Sequence, residues 1–367
     1  MHNNLKIRVF EAGIPITKTN PIQKWIDEWS SQVFVKITSN RKSGWGETLP
    51  AVLNSTKIYS MLIKDMGNLI RENNPENIRT IWDKLSKASF SGGSGVVYGA
   101  MSGIDIALWN LKATMNGLSL TSLLGNSEGR ARRYASLSRY KSVDDVLSIV
   151  ENLYSKGFDL IKLHQSKDDT MLSIQKIRET IGYNVNIAVD MNCAFGFTDA
   201  KKFVEDISHY EPLWIEEPLW PHNNYKGLSK LNKIWPIAAG ENAFYIEDFK
   251  EMIDLEALTY YQPDIAKIGG ITPALDLIAI LKSNNLNIAF HNRPHNGWVS
   301  AFASASLSIG LGIDTWIETP PFNPQEKYFN ICADINEKFI SSKAYNLSIT
   351  PKEPIPKKFG FHPLIFH

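Results

Sequence analysis

The sequence predicts an α/β fold, a (β/α)8-type barrel joined to a second domain of α+β type. Three observations predict it. First, charged residues close short apolar runs: Lys162 and His164 (DLIKLH), Asp190 (NIAVDMN), Glu216 (LWIEEP), Glu241 (IAAGEN), Asp264 (YYQPDI), His291 (IAFHN) and Glu318 (TWIET). Second, the separations from His164 to His291 are 26, 26, 25, 23 and 27 residues. That beat fits one strand, one helix and two loops, the repeating unit of a barrel. Third, 367 residues exceed one average domain and leave room for another.

Taken in order, residues 5–11 and 32–38 alternate as strands, with a turn expected at GWGE (44–47). Ile14 to Gln23 holds two prolines and reads as a loop. Helices are expected over 55–72, from Pro75 to Lys87, and from Tyr98 to Met115. In the last, Ile104, Ala107, Leu108 and Leu111 recur at helical spacing. The SGGSG run at 91–95 is a break and not a phosphate loop, since no buried strand precedes it and no Lys-Ser/Thr pair follows.

From Arg132 short buried strands alternate with helices. The units are YASLS with 142–155, DLIKLH with 168–181, NIAVDMN with 198–208, LWIEEP with 223–232, IAAGEN with 246–253, YYQPDIAKI with 272–284 and IAFHN with 298–310; TWIET completes eight strands. An open flavodoxin-like sheet is the alternative, but eight strands at one period favour closure. The period ends after Pro324. The expected division is 1–128 for the α+β domain, 129–322 for the barrel, and 323–367 for a segment folding back onto the first domain.

Composition excludes several classes. Hydrophobic residues make up 43% and charged residues 21%, as in an ordinary globular protein. The net charge of +1 comes from 39 basic and 38 acidic residues, well mixed, so no footprint for nucleic acid or an anionic membrane exists. The first residues lack the apolar core of a signal peptide. Cys193 and Cys332, the two cysteines, suggest no disulfide framework, and a reducing cytoplasm fits best.

Asp190, Glu216 and Glu241 fall at the ends of the third, fourth and fifth barrel strands. Three adjacent carboxylates repel one another unless a cation joins them. An all-oxygen set favours Mg2+ over Zn2+. Any one strand-end acid alone would more often be an ion-pair partner or a helix cap. On the second strand, period-2 alternation points Lys162 and His164 to the same side. Asp264 and His291 end neighbouring strands, where the carboxylate can fix the tautomer of the imidazole. His295 competes with His291, but it lies in the loop NRPHNGW. It and Arg293 are better substrate contacts, as are Asn192, Lys18 and Glu318.

These residues sit in motifs that resemble the enolase superfamily, in the mandelate racemase/muconate lactonizing enzyme group. The motifs are GWGE, SGIDIALWNLKA (102–113), LLG (123–125), DMN, IEEP, AGEN, PDIAKIGGIT (263–272) and His291. The resemblance implies an α+β capping domain formed by the N-terminal region and the C-terminal segment. It also implies Mg2+ on Asp190, Glu216 and Glu241, a general-base dyad of His291 and Asp264, and a homo-oligomer. Its chemistry is abstraction of a proton α to a carboxylate, with the cation stabilising the charge that forms. One departure stands out: the subgroup often shows Lys-x-Lys on the second strand, whereas this chain has Lys162-Leu163-His164.

The expected reaction is dehydration of a sugar acid to a 2-keto-3-deoxy acid. Either His291 acts alone on one face, or His164 and His291 divide the work across two. A racemase, epimerase or cycloisomerase acting on a hydroxy acid or sugar lactone is the alternative. A non-catalytic metal-binding barrel is a third reading, but it would not need paired bases.

Overall fold

A computed structural model describes residues 4–13, 31–50, 55–93, 95–293, 297–326, 328–343 and 348–353, with the backbone of 362–365. The N-terminal strands β1 (Lys6–Gly13), β2 (Ser31–Ser39) and β3 (Lys42–Thr48) form an antiparallel sheet. Side chains of β2 alternate: Val33, Val35 and Ile37 pack on the helices of this domain, while Phe34 faces the larger core. Those helices are α1 (Thr56–Ile70), α2 (Ile78–Ala88) and α3 (Gly95–Met115), followed by the short α4 (Leu120–Leu123). The GWGE motif is strand and not turn. The turn falls at Asn40 and Arg41, both at positive φ. Gly44 and Gly46 are glycine for a different reason. A Cβ there would stand 2.1 Å from the carbonyl oxygens of Ala107 and Gly103, so their absence lets β3 lie directly on α3.

Eight parallel strands follow in sequence order: β4 (Arg130–Ser136), β5 (Leu160–Leu163), β6 (Asn186–Asp190), β7 (Ile215–Glu216), β8 (Ile237–Ala239), β9 (Tyr260–Tyr261), β10 (Asn287–Phe290) and β11 (Trp316–Thr319). β11 pairs with β4, Glu318 opposite Tyr134, and the sheet closes into a barrel. Between them run α5 (Val143–Ser155), α6 (Lys167–Thr180), α7 (Phe197–Ser208), α8 (Tyr225–Asn232), α9 (Ile246–Asp254), α10 (Ile271–Ser283) and α11 (Trp298–Gly310). Their starts are written in the sequence. Ser142 and Ser166 accept from the backbone N–H of Asp145 and Asp169, and each helix carries two aspartates in its first turn.

Beyond the barrel come β12 (Phe329–Cys332), β13 (Asp334–Ile335), β14 (Phe339–Ser341), β15 (Ser348–Pro351) and β16 (His362–Ile365). β14 pairs antiparallel with the start of β4, β12 pairs with β15, and β16 extends the N-terminal sheet beside β1. The last segment therefore reaches both sheets. Among the described residues no helix is long and apolar enough to cross a membrane.

The barrel interior is layered by the period of two. Tyr134, Leu160, Ala188, Trp214, Ala238 and Ala289 form an inner apolar cluster, with Tyr260 and Trp316 against it. Two residues further along the same strands come Lys162, Asp190, Glu216, Gln262, His291 and Glu318, all buried. The intervening residues Ile161, Val189, Ile215, Ala239, Phe290 and Ile317 point outward into the core beneath the helices. The alternation that fills the floor thus places a polar layer at the C-terminal mouth.

Candidate active site

Lys162 is the hub of the polar layer. Its Nζ lies 2.5 Å from Glu216 Oε1, 2.9 Å from Glu318 Oε1 and 3.4 Å from Asp190 Oδ2, with no solvent exposure. Burial pulls against its charge, but Glu216 and Glu318 outweigh that and hold its pKa well above the usual lysine value. Glu216 is held from its other side too, where Oε2 accepts from Trp214 Nε1 at 3.0 Å and from Gln262 Nε2 at 2.6 Å. Glu318 Oε2 accepts from the Asn292 backbone N–H at 3.0 Å and from the Tyr134 hydroxyl at 3.2 Å.

Asp190 ends β6 directly opposite Glu216 in register. Its Oδ1 accepts from the backbone and side-chain N–H groups of Asn192, at 2.8 and 3.0 Å. Asn192 reaches back in this way because its φ is +45°. His164 Nε2 lies 2.9 Å from Asp190 Oδ2. Burial, reinforced by the charge of Lys162, lowers the His164 pKa to about 4. For Asp190 and Glu216, burial raises both pKa values in spite of Lys162, and the neighbouring carboxylates push the same way.

Asp264 and His291 meet as expected, with Asp264 Oδ2 2.8 Å from His291 Nδ1. Asp264 Oδ1 also accepts from the Ala266 N–H at 2.7 Å, which fixes the carboxylate. His291 Nε2 contacts Glu241 Oε2, and Lys267 Nζ stands 4.0 Å from Glu241 Oε1. Burial opposes protonation of His291, but Glu241 and Glu318 outweigh it and push the pKa up to about 10. Burial likewise opposes the charge of Glu241, yet His291 and then Lys267 hold that carboxyl well below its usual range.

The donor set fits a hard divalent cation in its chemistry. Asp190, Glu216 and Glu241 offer only oxygens, and Lys162 cannot neutralise its neighbours alone. Asp190 Oδ2 and Glu318 Oε1 are buried acceptors without an aligned hydrogen bond, near as His164 and Lys162 come. Among the described residues, no three acidic, histidine or cysteine side chains stand together at coordinating distance. Lys162 sits between Asp190 and Glu216, and Glu241 is turned to His291.

Arg293 is buried and donates to the carbonyls of Pro50 and Ser31, tying the barrel to the N-terminal domain. Lys18 and His295 lie outside the described residues. Several polar residues at the mouth escape sequence reasoning. Gln262 and Lys267 flank Asp264 within one motif, and period two would have placed Gln262 in the layer. Glu217, at φ +41°, accepts from the Gly240 N–H at 3.2 Å and the Cys193 thiol at 3.3 Å; burial, with help from Glu241, pushes its pKa up to about 8. Arg139 follows β4 and has no motif to mark it.

A closed parallel barrel, an antiparallel cap and carboxylates beside a His–Asp pair at the strand ends define a barrel enzyme with its chemistry at the mouth. The particular family follows from comparison. Residues 8–125 match the mandelate racemase/muconate lactonizing enzyme N-terminal domain, and residues 145–340 match the enolase C-terminal domain-like family. The chain belongs to the enolase superfamily. It is 27% identical over 274 residues to a D-galactonate dehydratase of Ralstonia pickettii (strain 12J), covering 71% of each chain. A D-galactonate dehydratase of Xanthomonas campestris pv. campestris (strain B100) is 25% identical over 275 residues, with the same coverage. An L-talarate dehydratase of Polaromonas sp. JS666, solved with Mg and L-glucarate, superposes with a TM-score of 0.79 at 22% identity, over 100% of this chain and 99% of that one. A putative dehydratase of Salmonella enterica serovar Typhimurium superposes at 0.84 and 20% identity, over 98% and 100%.

Proposed function

We propose that the chain dehydrates a sugar acid to a 2-keto-3-deoxy acid, beginning with removal of the proton α to the carboxylate. The observation that carries this is the His291–Asp264 pair, 2.8 Å apart and set beside the carboxylate layer. The names of the D-galactonate dehydratase relatives support the substrate class. The division into a cap (1–128), a barrel (129–322) and a closing segment (323–367) belongs to the same reading.

Asp190, Glu216 and Glu241 would hold Mg2+. When bound, the cation would take up negative charge that develops on the substrate carboxylate as the proton leaves. Asp264 keeps a proton on His291 Nδ1, which leaves Nε2 as the atom that accepts the α-proton. In the present arrangement Glu241 occupies that nitrogen and keeps His291 protonated. Were Glu241 to serve as a ligand of the cation instead, His291 Nε2 would be free and the main charge raising its pKa would be engaged elsewhere. Lys162 offsets part of the negative charge of the carboxylates at the reacting end of the mouth, and Asn192 and Glu318 border it. His164 stands across the mouth, three strands away from His291 through β11 and β4. From there it would divide the work with His291 if the reaction uses both faces. Lys18 and His295 complete the proposed substrate contacts, whereas Arg293, expected among them, is engaged by the carbonyls of Ser31 and Pro50 in the cap.

The test is proton exchange in D2O with Mg2+ across a library of acid sugars. The unaltered chain should exchange the α-proton and yield a product that reacts with semicarbazide. His291→Asn should do neither, with a loss of about 100-fold or more. Continued exchange on the same face in that variant would sink the assignment. Exchange without loss of a hydroxyl would favour the racemase or epimerase reading.

A further inference from the structure

We propose that Arg139 binds the end of the substrate remote from the reacting carbon, and that this end is a second carboxylate. The substrate is then a sugar diacid rather than a sugar monoacid. The proposal rests on the acid-sugar reading above and narrows it.

Arg139 lies in the loop after β4, on the mouth side of the barrel, and is part-buried. Its Nε donates to the carbonyl of His164 at 2.9 Å, so the guanidinium is fixed beside the end of β5. The loop that carries it is itself pinned to β5. The Leu137 N–H donates to the Lys162 carbonyl at 2.9 Å, the Tyr140 N–H donates to Gln165 Oε1 at 3.2 Å, and Gln165 Nε2 donates to the Ser138 carbonyl at 3.4 Å. Only one residue, His164, separates this guanidinium from Asp190.

The forks of three other arginines are occupied. Arg79 holds Asp276 through both terminal nitrogens at 2.8 Å, whereas the exposed Arg132 and Arg71 reach Asp314 and Asn4 through Nε, at 3.2 and 2.9 Å, outside the barrel mouth. Arg133 donates to Thr319, Asn323 and two carbonyls, and Arg178 to four carbonyls. Among the described residues Arg139 meets no carboxylate, and its two terminal amino groups have no protein acceptor. A guanidinium held by Nε alone keeps a planar pair of donors for a carboxylate, which a polyol end cannot match in charge. On the acid-sugar reading the reacting carboxylate would be met by the cation that Asp190, Glu216 and Glu241 would hold, so the Arg139 fork is left for the other end.

The experiment compares a hexaric acid with the hexonic acid of the same configuration, by turnover and by calorimetric binding with Mg2+. The unaltered chain should prefer the diacid in kcat/KM by about 10–100-fold. Arg139→Gln should raise KM for the diacid by a similar factor, leave kcat and Mg2+ affinity within about twofold, and erase the preference. Arg139→Lys, which keeps the charge without the fork, should recover part of it. Equal or better use of the monoacid by the unaltered chain overturns the proposal. So does an equal fall in kcat for both acids in Arg139→Gln, which would put the guanidinium at the reacting end. Binding of both acids with equal affinity overturns this inference alone, whereas binding of neither overturns the acid-sugar reading with it.

Discussion

Buried carboxyls occur in two regions of this molecule and are answered in opposite ways. At the barrel mouth, Asp190, Glu216 and Glu318 surround the ammonium of Lys162. At the seam between cap and barrel, Glu47 accepts from Gln32 Nε2 at 2.5 Å and from the Ser300 N–H at 3.0 Å. Asp105 accepts from the Thr272 N–H at 2.9 Å and the Thr272 hydroxyl at 2.6 Å. These seam donors are neutral, and Ser300 and Thr272 lie in the first turns of α11 and α10, so the cap domain supplies helix caps to the barrel. Burial raises both seam pKa values to about 7, with the hydrogen bonds opposing it. The seam can relieve burial by taking up a proton. The mouth relieves it with the ammonium of Lys162.

The largest effect should come from removing the cation at the mouth. Lys162→Met leaves its carboxylates without their partner, which should cost about 3–5 kcal/mol in metal-free buffer. Mg2+ should stabilise this variant more than it stabilises the unaltered chain, because the ion then answers the carboxylates alone; saturation at 100 times Kd is worth about 2.7 kcal/mol. Urea unfolding with EDTA and with Mg2+ measures both. An equal Mg2+ increment in the two proteins would mean that the carboxylates do not share the cation.

A smaller effect separates the polar layer from the floor beneath it. Trp214 packs edge-on against Tyr134, with ring centroids 5.6 Å apart, and donates Nε1–H to Glu216. Trp214→Phe keeps an aromatic ring and removes the donor, so the loss should be about 1.5–3 kcal/mol with a weaker Mg2+ affinity. Unchanged Mg2+ affinity would show that Gln262 and Lys162 orient Glu216 without it.

The barrel and its charged strand ends were legible because each unit repeats one apolar strand, one capped helix and one polar terminus. The His291–Asp264 contact followed from strand adjacency alone. GWGE misled, because glycine usually signals a turn, whereas here Gly44 and Gly46 are needed for contact with α3. The pairing of β14 with β4 was hidden, since a three-residue strand has no pattern long enough to name its partner. Lys267 and Arg139 were missed because a single cation in a loop looks the same in sequence whether it faces solvent or the mouth of a barrel.

The seam itself should show the smallest effect, visible as pH dependence. Asp105 titrates near 7 in the folded chain and near 3.8 when free, so the fold binds its proton more tightly than the unfolded chain does. Its contribution is therefore fully present below about pH 4 and is lost as pH rises through about 7. Asn can replace the protonated acid, accepting from the Thr272 N–H and donating to its hydroxyl oxygen, but it never charges. Asp105→Asn should thus come nearest the unaltered chain at about pH 4 and gain on it at pH 8. A tenfold difference in proton affinity is worth about 1.4 kcal/mol, so the relative gain should reach at least about 1 kcal/mol. Thermal unfolding at the two pH values in EDTA reads it directly. A variant that falls below the unaltered chain at both pH values would mean that Asp105 caps α10 as the carboxylate, and that the seam, like the mouth, depends on a charge.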